Sequence, residues 1–168
     1  MMKATKEIKI ASSLDLPNFV DLLLDIWLFQ TDRKFHPKEC HGARQVKEGM
    51  LIQTHVGDII VQMKTLDKTG GYIEYHMVTD ALSSKMMPNF AFNNMIGPAG
   101  LHSYCGKINI TEDIEQSHQF NVHWEIEFQM KFWNAIVPSF GLGGYAFQSL
   151  QGDYLMNTLK LLKQTAEA

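Results

Sequence analysis

The chain has 168 residues, 45% apolar and 20% charged, with a formal net charge of −3. That length and apolar content suit one globular domain over 1–168, large enough to bury its own core, and exclude a disordered chain. The 15 basic residues are dispersed and only two are Arg, so there is no nucleic-acid footprint.

Thr5 to Ser12 alternates, with Ile8 and Ile10 on one side and Lys6, Glu7 and Lys9 around them, and predicts a first strand. Asp15 is placed to cap a helix with Pro17 in its first turn. That helix is expected to reach about Phe29 and is apolar around most of its girth, so it should be well buried. Residues 30–41 are polar, contain Pro37, and read as a short helix or loop. Strand-like runs follow at Ala43–Thr54 and Asp58–Leu66. Lys68 to Gly71 is a turn, and Tyr72–Thr79 lies at hairpin distance beyond it. Leu101–Ile110 is a further strand. From Gln119 to Phe132, apolar Phe120, Val122, Trp124, Ile126, Phe128, Met130 and Phe132 alternate with polar residues, the signature of a strand with one buried and one wet face. Gly141 to Gly144 breaks the chain before a last helix, in which Phe147, Leu150, Tyr154, Leu155, Leu159 and Leu162 recur at helical spacing. The order is strand, helix, about five antiparallel strands, one long helix. A curved sheet with one amphipathic helix across its concave side leaves space for side chains or a ligand.

The sequence resembles the START-like helix-grip superfamily, often labelled SRPBCC, over about residues 4–166. The resemblance rests on the opening strand and helix (Ile8 to Asp25), Gly42-Ala43-Arg44 at the second strand, Trp124 with Phe128 four residues later, and the Leu159–Lys163 end of the last helix. It implies an α+β fold in which a curved antiparallel sheet wraps a long C-terminal helix. It also implies binding or transport of a hydrophobic, lipid- or polyketide-like molecule in the enclosed space. A cyclase/dehydratase (lyase-type) enzyme and a protein-interaction module with a filled interior are the alternatives.

Strand parity nominates the interior residues. Ile59, Val61 and Met63 share a face, as do Ile73, Tyr75 and Met77; His102, Tyr104, Ile108 and Ile110; and Val46, Met50 and Ile52 with Arg44 and Glu48. The candidate ligand-binding set is Arg44, Met63, Tyr75, Met77, His102, Tyr104, Trp124 and Phe128. Arg44 is suited to a carboxylate or phenolate, and the tyrosines and His102 to a carbonyl or hydroxyl. For the enzyme reading, His102 and Tyr104 are the acid/base candidates.

No nucleophile motif, phosphate loop or dinucleotide fingerprint is present, so no cofactor is expected. His36, Cys40 and His41 invite a metal reading, but Pro37 opposes a regular helix and no fourth ligand follows, so no metal is expected either. His55, His118 and His123 are expected to be exposed.

Two cysteines, Cys40 and Cys105, make no disulfide scaffold, and Met1–Lys9 lacks an apolar signal region. The longest apolar stretch, Leu22–Phe29, is interrupted by Asp25 and too short to span a bilayer. A reduced cytoplasmic location is expected. The 10 Met and 10 Phe are partly explained by the interior set and partly by two apolar, turn-rich segments, 86–98 and 133–144. Those segments suit a lid, a homodimer contact or a membrane contact.

Overall fold

The computed structural model describes residues 1–30, 42–46, 49–53, 57–84, 101–130 and 142–168. Strand β1 (Met2–Ala11) turns its even residues inward: Ala4 and Ile10 are buried, and Ile8 packs against the core. Lys6 belongs to this inward row, opposite Trp124, and not to the polar surround expected for it. Helix α1 (Leu16–Asp25) begins as predicted. Asp15 caps it, its carboxylate accepting from the Asn18 amide at 3.0 Å, and Pro17 occupies the first turn, where no N–H is missed. Phe19, Val20 and Leu23 are buried, and the Phe19 ring stacks on Phe120 with centroids 4.4 Å apart. The expected continuation to Phe29 is present as a π-helical turn, Ile26–Gln30. Its Ile26, Trp27 and Leu28 are all buried.

The sheet has seven strands, antiparallel throughout, in the order β1-β7-β6-β5-β4-β3-β2. The strands are β2 (Gly42–Val46), β3 (Gly49–Gln53), β4 (Gly57–Asp67), β5 (Tyr72–Ser84), β6 (Leu101–Glu112) and β7 (Gln119–Met130). The single strand expected over Ala43–Thr54 is a hairpin of β2 and β3, closed where Val46 pairs with Gly49. The fold thereby gains a strand over the sequence expectation. The face assignment also changes, because folding back at two residues reverses which residues lie across from each other. Arg44 pairs with Leu51, which pairs with Ile60, whereas Met50 lies in the row of Val61 and Met77. Arg44 and Met50 therefore do not share a row. In β4 the ladder shifts register between Asp58 and Ile60 and again between Met63 and Thr65, and Ile60 and Val61 are both buried. Strict period-two parity fails there for that reason.

The turn from β4 to β5 is built by Asp67, whose carboxylate accepts from the Thr69 amide, the Thr69 hydroxyl and the Gly70 amide at 2.8–3.1 Å. Gly71 has φ of +67°, the left-handed conformation that glycine adopts without penalty. β7 shows the expected alternation: Phe120, Val122, Trp124, Ile126 and Phe128 are all buried. Helix α2 (Leu142–Ala166) starts inside the glycine run expected to precede it. It lies against β1 and the inner face, burying Leu155, Thr158, Leu159, Leu161 and Leu162. The Lys6 stem runs beneath Gly152 of this helix.

The β5–β6 ladder spans only Tyr72–His76 against Cys105–Asn109 among the described residues. Beyond it, β5 stays with β4 as far as Ser84, and β6 stays with β7 as far as Leu101.

Candidate functional site

On the inner face, one cross-strand row runs Met63, Tyr75, Gly106, Ile126, Ala4 from β4 to β1. Gly106 is the key to it. A Cβ built there would run into the Tyr75 ring, so only glycine leaves room for that ring to lie over the β6 backbone. The Tyr75 hydroxyl is thus carried toward β7, where it accepts from the Trp124 indole N–H at 2.9 Å. Trp27 closes over both: its ring centroid lies 4.4 Å from Tyr75 and 5.3 Å from Trp124, edge-on to the latter.

The hydrogen bonding continues. Tyr104 lies on the same face of the neighbouring strand β6, two residues from the Gly106 that pairs with Tyr75, and donates to Gln151 Oε1 of α2 at 2.6 Å. Two side-chain hydrogen bonds, Trp124–Tyr75 and Tyr104–Gln151, therefore form a polar thread in two links within an apolar core. Tyr75 is 2% and Tyr104 6% exposed. Burial pushes both phenol pKa values well above the usual tyrosine range, because a phenolate there would lose its solvation.

These raised values make stability pH-dependent at the alkaline end. The contribution is whole below about pH 10, the pKa of an unfolded tyrosine, and is lost as pH rises past it. Alkaline titration followed by ultraviolet tyrosinate absorbance is expected to show two of the five tyrosines ionising only on unfolding. The Tyr104→Phe protein should show one fewer of them. Smooth titration of all five in the folded protein would contradict this burial.

Tyr75, Tyr104, Trp124 and Phe128, nominated from the sequence, are thus brought together and buried. Met63 and Met77 are half-buried and packed against the same core, beside Met50. His102 falls where the β6–β7 register shifts between Leu101 and Ser103, so the parity that places Tyr104 does not extend to it. Arg44 stands in the Leu51–Ile60 row described above. Glu48, His55, the His36–His41 cluster and the 86–98 segment lie outside the described residues, as does most of 133–144. His118 is exposed, and the partly exposed His123 stands 3.9 Å from Glu7. Among the described residues no group of three His, Cys, Asp or Glu is placed to hold a metal ion, and no helix is long and apolar enough to cross a membrane.

Sequence reasoning missed Trp27, Gly106 and Gln151. A lone glycine inside the Leu101–Ile110 strand was the available signal for Gly106, since such a position marks a close approach. Gln151 reads as the solvent side of its helix, and nothing local distinguishes it.

The opposite face of the sheet is polar. Lys3 bridges Glu125 and Glu127, and Glu74 gathers Lys64, Tyr72 and the Cys105 thiol at 3.2–3.8 Å. At the sheet edge, a groove of about 340 Å³ between β1 and α2 is lined by Lys3, Lys6, Gln148, Ser149 and Asp153 among others, and is open to solvent. Its polar lining is unlike that of a hydrophobic-ligand site.

No family model matches the chain, and no curated protein matches it. Solved structures do. The protein XoxI from Bacillus cereus is 16% identical with a TM-score of 0.63, over 99% of this chain and 96% of that one. The Zhui aromatase/cyclase from Streptomyces sp. R1128 is 9% identical with a TM-score of 0.63, over 99% and 94%. A START superfamily protein from Mycobacterium smegmatis is 12% identical with a TM-score of 0.58, over 98% and 97%. At these identities the likeness concerns the path of the chain and not its chemistry. A seven-stranded antiparallel sheet gripping a C-terminal helix, shared end to end with these structures, gives the chain the START-like helix-grip fold.

Proposed function

We propose that this chain binds a hydrophobic, lipid- or polyketide-like small molecule between the sheet and α2, as a single domain over 1–168. The observation that carries the reading is the pair of hydrogen bonds Trp124–Tyr75 and Tyr104–Gln151 set in an apolar interior. A core that only needed to be stable has little use for it, because buried polar groups return little net free energy. A few fixed polar groups in apolar surroundings are the usual make-up of a small-molecule site. The half-buried Met50, Met63 and Met77 beside it supply an adaptable surface. The likeness to an aromatase/cyclase and to a START superfamily protein supports the same reading.

Binding is favoured over cyclase/dehydratase chemistry by the state of the tyrosines. Held protonated by burial, they donate and accept hydrogen bonds and are poor bases. Native mass spectrometry of protein purified without denaturant tests the proposal. The expected spectrum carries an apolar adduct that organic extraction removes and that the stripped protein takes up again. A bare chain that takes up no naphthalene-sized apolar probe would overturn it.

A further inference from the structure

The Tyr104 hydroxyl has a single proton, which it donates to Gln151 Oε1 at 2.6 Å. Tyr104 is only 6% exposed, so this contact is made inside the core. The carbonyl end of Gln151 is therefore committed to the protein. Its amide nitrogen carries two protons and makes no hydrogen bond to the other described residues. Gln151 is half-buried, on α2 beside the buried Tyr104.

We infer that Gln151 is the specificity-determining residue of the interior site, and that its amide selects ligands carrying a hydrogen-bond acceptor, a ketone or a phenolate oxygen, over pure hydrocarbons. The inference rests on the ligand-binding reading above. Tyr104 is a positioning residue, fixing through its hydroxyl which end of the Gln151 amide is offered. A ligand presenting only a donor would meet two N–H groups and gain nothing.

A matched pair of probes tests this. 2-Acetylnaphthalene and 2-isopropylnaphthalene have nearly the same size and shape and differ in one acceptor oxygen. Calorimetric titration of the full chain is expected to give the ketone the tighter binding by about three- to tenfold, the worth of one hydrogen bond. Gln151→Glu keeps an oxygen for the Tyr104 proton and removes the amide protons, so the affinity ratio should fall to one or below. On the unsubstituted protein, the infrared carbonyl stretch of bound 2-acetylnaphthalene should lie at lower frequency than in hexane. This second readout needs no variant to fold. Equal binding of the two probes, an unshifted carbonyl stretch, or a ketone preference that survives in Gln151→Glu would overturn the inference while leaving ligand binding intact. Binding of neither probe would overturn the ligand-binding reading, and this inference with it.

Discussion

Gly106→Ala is expected to destabilise the protein by about 3 kcal/mol, combining overpacking with disruption of a buried hydrogen bond. For a chain of this size that corresponds to roughly 6–12 °C in melting temperature. The new methyl group would occupy the space of the Tyr75 ring. The ring must then swing away from β6, separating its hydroxyl from Trp124 and loosening its contact with Trp27. The sign is unusual, since glycine in a strand ordinarily weakens it and alanine should help. A double-mutant cycle isolates the cause. In a Tyr75→Ala background the ring is gone, and Gly106→Ala should cost nothing further. If the single variant melts within a degree of the parent, the packing of Tyr75 over β6 is wrong.

Trp124→Ala should cost more, about 3–5 kcal/mol, the range for removing a large buried aromatic. Trp124 is fully buried, meets Trp27 edge-on, and supplies the donor for Tyr75. Trp124→Phe keeps much of the volume and drops the N–H, so it should lose about 1–3 kcal/mol, with the Tyr75 oxygen left short of a donor. The informative comparison is with Tyr75→Phe. If the two groups serve each other, the Trp124→Phe and Tyr75→Phe losses will not add in the double variant. Urea denaturation with unchanged m-values is the measurement. Additive losses would separate the pair, and a Trp124→Ala loss under about 1 kcal/mol would remove Trp124 from the core.

The legible parts of this fold were those where one strand declares both of its faces. Residues 119–130 alternate without interruption, and a strand with a dry and a wet side has no other way to be written. The helix after Asp15 was legible because a cap and a first-turn proline are local chemistry. The β2–β3 hairpin was not, because Lys47-Glu48 is not a turn signature and the hydrophobic pattern runs straight across it. Tyr75, Tyr104 and Trp124 could be nominated by parity. Their joining could not, since it depends on a missing side chain at Gly106 and on a glutamine from a helix some 45 residues further on. Periodicity reports which face a residue takes and is silent on what it meets there.

The pairing of the first strand with the last has a consequence for synthesis. β1 leaves the ribosome early, yet its strand partner β7 and the helix packed on it, α2, both lie beyond residue 118. At ordinary elongation rates the strand waits on the order of ten seconds for a neighbour. Closure of the β1 edge therefore comes late: the strand docks on β7 only after more than a hundred intervening residues have been made, over a long loop. Until then β7 presents a free edge bearing Phe120, Trp124 and Phe128. The nascent chain in that interval is a natural client for a holdase, and the lysines at positions 3, 6 and 9 are well placed as gatekeepers along the waiting strand.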